Sequence, residues 1–317
     1  MAQAPVVCPN NEKICGKLLY LSVFSLSSQH KMLCRMNFTL NCQGRLLSLS
    51  TPRVMGILNA TPDSFYAGSR VFTESDLRSR VAQLRSEGAT FVDVGACSTR
   101  PGGVLATEAE EMERLRWALP IVVSEWPEAI VSVDTFRADV ARMSVEEYGV
   151  GMVNDVSGGQ MDAAMFGMMA RLCVPYVLTH SPRLPLPPTA ESGDDDVVRS
   201  VMLFFASRLS ELRSQGVADV IVDPGFGFGK NLRQNYELMH HLDYMGETGC
   251  PVLVGVSRKS MLTKLLKIKP DEALSATTAL HVMALERGAS ILRVHDAGAA
   301  REAIALWQAV NHPQDIE

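Results

Sequence analysis

The chain has 317 residues, 47% of them hydrophobic, and a formal net charge of −5. That apolar content suffices for a large core, and a mildly acidic chain offers no basic face to nucleic acid or to an anionic membrane. Seven cysteines without CxxC spacing fit reduced thiols in a cytosolic protein better than a disulfide framework or a zinc site, which leaves small molecules as the expected partners.

Residues 1–35 hold no helical or strand period for long. Their apolar stretch "LLYLSVFSL" is too short to span a bilayer, although its length suits a signal-peptide core. Lys13 and Lys17 precede it, but no clean small-x-small cleavage site follows. We read 1–35 as a disordered or artefactual leader, with Met36 as the natural start, and 36–317 as a single domain. "NFTLN" and "RLLSLS" around the turn "CQG" alternate as a β-hairpin does.

From there a short apolar run, a polar loop and a longer amphipathic segment repeat. The runs are "VMGIL" (54–58), "TFVDV" (90–94), "AIVSV" (129–133), "GMVN" (151–154), "PYVLT" (175–179), "DVIVD" (219–223), "PVLVG" (251–255) and "SILRV" (290–294). Helical patterns between them include "TESDLRSRVAQLRSEG", "TEAEEMERLRWALPIVVSEW" and "DEALSATTALHVMALERG". Thr73 and Thr107 stand at N-cap positions, and Gly88, Gly216 and Gly288 at helix ends. Eight buried-type strands alternating with helices predict an α/β fold, a (β/α)8 TIM barrel with an N-terminal β-hairpin. A doubly wound open sheet is the alternative, but no GxGxxG follows the first run.

In a barrel the active site lies at the C-terminal ends of the strands. Reading those ends gives Asn59; Thr99 and Arg100; Asp134; Asn154 and Asp155; His180; Asp223 and Lys230; Ser257, Arg258, Lys259 and Ser260; and Arg293 with His295. Carboxylates and amides suit a flat, nitrogen-rich heterocycle, while Arg100, Arg293, His295 and nearby backbone N–H groups offer charge to a phosphate. Lys259 can serve either. The bland readings are specific too: Asp134 and Asn154 as helix caps, "SRKS" (257–260) as a basic helix start, and "RVHD" (293–296) as a solvated strand end.

Together these words carry a resemblance. "GILNATPDSF" (56–65), "STRPGG" (98–103), "SVDT" (132–135), "NDVSGG" (154–159), "DPGFGFGK" (223–230), "SRKS" and "RVHD" stand in one order, and over residues 53 to 310 the chain resembles the dihydropteroate synthase family, the pterin-binding barrel enzymes of folate biosynthesis. The resemblance implies condensation of hydroxymethyl-dihydropterin pyrophosphate with p-aminobenzoate, with release of pyrophosphate along an SN1-like path. It implies that Asp134, Asn154, Asp223 and Lys259 hold the pterin. Arg293, His295, Asn59, Thr99 and Arg100 would surround the pyrophosphate, with a Mg²⁺ sharing Asn59 and phosphate oxygens. Phe228, Pro101, Lys259 and Ser260 would surround the aminobenzoate, where sulfonamides would compete. Asp134, Lys259, Arg293 and His295 are the expected catalytic residues, and the family commonly dimerises through its last helices.

The departures are local. Ala67 stands where the family's first loop often carries an acid, and Cys97 where an acid commonly precedes "STRPG". We expect Cys97 to be a packed thiol. "THS" (179–181) replaces the usual "MHM", and His180 is expected to be structural. Lys230 is expected to brace its loop or, preferably, to lie at the surface. The Pro-rich, acidic "LPLPPTAESGDDD" (184–196) reads as a connector, and "LTKLLKIKP" (262–270) as a helix end and turn. The rival functions are a folate-to-corrinoid methyltransferase of the same barrel type, which has no use for "TPDSF", "STRPG" or "RVHD", and a non-catalytic pterin-binding barrel, whose signature would be loss of Arg293, His295, Lys259 or Asp223, none of which is lost.

Overall fold

Each short apolar run pairs in parallel with the next, and the last pairs with the first. The computed structural model describes residues 37–60, 73–98, 105–181 and 196–316, and Phe38–Glu317 form a compact unit. Its first two strands, β1 (Thr39–Cys42) and β2 (Arg45–Ser48), make an antiparallel hairpin. The eight that follow are β3 (Arg53–Asn59), β4 (Phe91–Gly95), β5 (Ile130–Asp134), β6 (Met152–Asp155), β7 (Tyr176–Thr179), β8 (Val220–Asp223), β9 (Val252–Val254) and β10 (Ala289–Val294). They close a barrel in the order β10-β3-β4-β5-β6-β7-β8-β9. Closure leaves no sheet edge and sends alternate side chains inward, so the open sheet is excluded.

Outside the strands lie α1 (Glu74–Ser86), α2 (Glu108–Glu125), α3 (Ala138–Tyr148), α4 (Met165–Leu172), α5 (Val197–Ser214), α6 (Leu232–His240), α7 (Ser260–Leu266), α8 (Leu274–Glu286) and α9 (Ala297–Asn311). Local chemistry starts and stops them. Thr73 and Thr107 each form a reciprocal capping box, with Asp76 and Glu110, which satisfies N–H groups that the first turn leaves over. Gly88, Gly216 and Gly288 follow the last turns of α1, α5 and α8 at φ 79°, 88° and 95°, in the left-handed region that glycine enters without strain. Among the described residues no helix is long and apolar enough to cross a membrane.

The two faces of each strand build separate cores. Outward residues such as Val92, Val131, Val153 and Leu178 pack with helix residues including Leu84, Leu119 and Phe205. Inward, each barrel strand contributes one apolar residue to a basal layer: Met55, Phe91, Ile130, Met152, Val177, Ile221, Leu253 and Ile291. Leu40 and Cys42 of the hairpin and Leu49 just after it pack against that layer, sealing the N-terminal end of the barrel with apolar surface. Burial pushes the Cys42 thiol up to about 12, so it packs as a small hydrophobe.

Candidate active site

Two residues further along, the inward positions of most strands become polar. With the pleat's period of two, the layer above the apolar base holds Ile57, Asp93, Ser132, Asn154, Thr179, Asp223, Gly255 and Arg293. One step higher stand Asn59, Gly95, Asp134, Ser257 and His295. The change from oil to polarity within one barrel is what sets the site at the strand C-termini.

Asp93 is fully buried, and its Oδ2 accepts hydrogen bonds from Arg293 Nε at 2.6 Å and Asn154 Nδ2 at 2.9 Å. Arg293 also donates through Nη2 to Asp134 Oδ2 at 2.8 Å. Burial pushes the Asp134 carboxyl up to about 7 against the pull of Arg293, with Asp93 adding to the rise. Burial alone would lower Arg293, but Asp93 and Asp134 together hold it above the ordinary arginine range. Neither Asp134 nor Asn154 caps a helix with its side chain. The N-terminus of α3 is served instead by Asp162, whose Oδ2 accepts from Ala138 N at 2.8 Å.

Asp223 ends β8 with 5% of its surface exposed. Its Oδ1 accepts from Gly225 N at 2.7 Å, while Oδ2 has no partner among the described residues. The following loop explains the alternation of "GFGFG". Gly225, Gly227 and Gly229 adopt φ 70°, 82° and 59°, and a Cβ on Gly225 would run into the His180 carbonyl. Phe226 is fully buried in the outer core, and its carbonyl accepts a hydrogen bond from Lys259 Nζ. That ammonium stands 4.6 Å from the centroid of the half-buried Phe228 ring, a cation–π contact. Burial lowers the Lys259 pKa to about 8 against the pull of Asp223. Ser260, the first residue of α7, is exposed.

Lys230 corrects the expectation of a surface cation. It is 8% exposed, and Nζ donates to the carbonyls of Gly225 at 2.8 Å, His180 at 3.2 Å and Phe228 at 3.3 Å. Burial pushes its pKa down to about 7, yet three carbonyl acceptors call for all three ammonium hydrogens. Asn235 completes the brace by accepting from Gly227 N at 2.7 Å and donating to the Lys230 carbonyl at 3.0 Å. His180 is buried, with its ring edge-on to Phe204 at 5.0 Å. Burial pulls its pKa to about 3, so it is a neutral packing residue.

On the opposite wall, His295 Nδ1 lies 3.0 Å from Ser257 Oγ, and its backbone N–H donates to the same oxygen at 3.2 Å. Burial, then the Arg293 charge, lowers its pKa to about 4. Arg258 makes a two-pronged pair with Asp296 at 3.1 and 2.6 Å, so "SRKS", which does lead into α7, and "RVHD" are joined by an ion pair. Arg80, on α1, donates to the His295 carbonyl at 2.5 Å and so ties the end of β10 to the helix after β3. Asn59 and Asp134 flank the bare backbone of Gly95, with an oxygen of each 3.7 Å from where a Cβ would lie. With Asp134 Oδ2 taken by Arg293, the Asn59 amide oxygen is the group that fits Mg²⁺, which keeps water and phosphate ligands and needs only one or two protein groups. Among the described residues no cluster of three His, Cys, Asp or Glu side chains could hold a metal by itself.

Residues 55–295 match the family model for pterin binding enzymes. The chain is 38% identical to the Escherichia coli dihydropteroate synthase over 84% of its own length and 94% of that protein's. The chain belongs to the dihydropteroate synthase family. Two solved family members are similar in fold. The Xanthomonas albilineans enzyme with 4-aminobenzoic acid is 38% identical with a TM-score of 0.79, covering 89% of this chain and all of that one. The Yersinia pestis enzyme in a sulfonamide drug complex is 35% identical with a TM-score of 0.80, covering 86% of this chain and 99% of that one.

Within that family frame, Asp134, Asn154, Asp223, Phe228, Lys259 and Arg293 line one end of the barrel, with Asn59, Ser260 and His295 at the same end. Thr99, Arg100 and Pro101 lie outside the described residues, as do "TPDSF", Ala67, the leader and most of the acidic connector. Cys97 is half-buried, and burial, then the Glu111 charge, raises its thiol pKa, which fits a packed thiol. Near it the fully buried Glu111 pairs with Arg137, whose Nη2 donates to the Ala106 carbonyl at 2.6 Å. Sequence reasoning passed over Asp93, Arg80, Glu111 and Asn235. Asp93 left one signal, a carboxylate at an inward position of an otherwise apolar strand. The other three sit on helices, where their partners are fixed only by how helix and strand pack.

Proposed function

We propose that this chain is a transferase that joins hydroxymethyl-dihydropterin pyrophosphate to p-aminobenzoate, giving dihydropteroate and pyrophosphate. The observation that carries this reading is the inner layer in which Asp93, Asn154, Asp223 and Arg293 replace the apolar base, inside a barrel of the dihydropteroate synthase family. Asp223 Oδ2, which has no hydrogen-bond partner among the described residues, suits the donor edge of a pterin, since a carboxylate only accepts and a pterin supplies an amino group and a ring N–H. Lys259 reaches both the Asp223 loop and the Phe228 ring, so it suits the junction between the pterin and the aminobenzoate, whose flat ring matches Phe228 and Pro101.

In the reaction the C–O bond to pyrophosphate breaks, with its electrons leaving on oxygen, and the aniline nitrogen forms a C–N bond and loses a proton. An aniline is neutral near pH 7, so leaving-group stabilisation matters more than a strong base. Asp134 faces the methylene cation that develops. Arg293 is clamped between two carboxylates, so its charge is shared before any substrate arrives, and His295, Thr99 and Arg100 are left to serve the pyrophosphate. When bound, Mg²⁺ would neutralise phosphate charge as a Lewis acid, and the Asn59 amide oxygen would hold it. Sulfonamides would compete for the aminobenzoate subsite. We place the reaction in the cytoplasm and expect a homodimer, for which exposed Val282 and Met283 on α8 and Leu306 and Val310 on α9 supply apolar surface.

The test is purified protein with the pterin pyrophosphate, p-aminobenzoate and Mg²⁺, followed for dihydropteroate and released pyrophosphate. Formation of both is expected. Pterin binding without product would leave a non-catalytic pterin-binding barrel.

A further inference from the structure

Asp93 holds a place that no substrate contact explains. It is fully buried on β4, directly across from Ile57 on β3 and Ser132 on β5. Its Oδ2 takes both Arg293 Nε and Asn154 Nδ2, while its Oδ1 and the Ser132 hydroxyl are buried with no hydrogen-bond partner among the described residues. A carboxylate can only accept hydrogen bonds, so an amide that meets it must present its NH₂ side. Asp93 therefore decides which way round the Asn154 amide stands. With one Nδ2 hydrogen committed to Asp93 and the amide held that way round, the Asn154 carbonyl oxygen is fixed on the side away from Asp93.

We infer that Asp93 is a positioning residue that sets the hydrogen-bond polarity of the heterocycle site, turning Asn154 into an acceptor and fixing the plane of the Arg293 guanidinium. The consequence is selectivity. Asn154 Oδ1 and Asp223 Oδ2 then present acceptors, and they favour a heterocycle edge made of donors. A pteridine carrying a 2-amino group has such an edge, and one carrying a 2-oxo group in its place does not. This inference rests on the pterin reading of the site and gives it a determinant of substrate class outside the expected contact residues.

The experiment is calorimetric titration of the full chain with 6-hydroxymethylpterin and with its 2-oxo analogue, neither of which requires turnover. The wild type should favour the amino compound by about 100-fold, because a buried acceptor facing an acceptor leaves both unpaired. Asp93→Ala frees the Asn154 amide to turn and should bring that ratio to about 10-fold or less while the KM for p-aminobenzoate changes by less than about twofold. Asp93→Asn should restore the wild-type ratio, because its amide oxygen can take both donors while its NH₂ occupies the side where Asp93 Oδ1 has no partner. An unchanged ratio in Asp93→Ala would overturn the inference. So would a ratio lost in a folded Asp93→Asn protein, and that variant decides the matter even if Asp93→Ala does not fold. Selectivity that Asp93→Ala loses, in a protein that forms no dihydropteroate, would support the role of Asp93 and sink the transferase reading; a wild type that binds neither pteridine would overturn both.

Discussion

Asp134 and Lys259 sit within one inner wall but depart from their ordinary pKa values in opposite directions, and both departures oppose charge. Burial raises Asp134 to about 7 and lowers Lys259 to about 8, so the carboxylate is lost as pH falls through 7 and the ammonium as pH rises through 8. If both ions are required, kcat/KM for the pterin substrate should follow a bell with limbs near those values. Asp134→Asn should abolish the acid limb, and Lys259→Arg should move the alkaline limb beyond the measurable range; a flat profile from pH 6 to 9 would remove both from the mechanism. Asp223→Asn swaps one acceptor for a donor in a buried site, so pterin affinity should fall by about 100-fold or more on titration, whereas normal affinity would show that Asp223 does not read the pterin edge. The sequence marked these residues because Asp134 and Asp223 end strands and Lys259 lies in the loop that follows one. Asp93 lies two positions before the end of its strand and was hidden by that criterion, although its inward parity makes it a neighbour of Arg293 and Asn154.

The loop after β8 shows how far a motif can be read as an element. Its three glycines and two aromatics declare a tight, unusual backbone, and all three glycines do take positive φ. What the motif cannot declare is the destination of its lysine, because the Lys230 acceptors include the carbonyl of His180, fifty residues away on another strand end. Lys230→Met removes the donor to three carbonyls and should lower stability by about 2–4 kcal/mol, measured by urea denaturation. It should also weaken pterin binding, since the loop that carries Asp223 and Phe228 loses its brace. A variant as stable as the wild type would mean that the carbonyls are satisfied without it. Gly225→Ala should be more damaging than Gly44→Ala in the hairpin turn. Both positions have positive φ, but only at Gly225 does a Cβ meet backbone, and thermal midpoints of the two variants provide the comparison.

For the whole molecule, stability and chemistry occupy opposite ends of the same barrel. The hairpin seals the apolar base through Leu40, Cys42 and Leu49, and the polar layers begin only two residues above it. Leu40→Ala should therefore cost about 2–4 kcal/mol by leaving a cavity under the barrel, while kcat/KM per folded molecule stays within about twofold of the wild type. A large loss of activity at full folding would show that the base and the site are coupled. The eight strands, their helices and the end that bears the site were legible in the sequence itself, because apolar runs, capping residues and glycine stops are local signals that every repeat carries. The tertiary structure alone decided that Arg293 is clamped by Asp93 and Asp134, that Lys230 is interior and that Arg80 holds the end of β10. Those partners lie on different strands and helices, and only barrel closure brings an acceptor that is distant in sequence within hydrogen-bond reach of its donor.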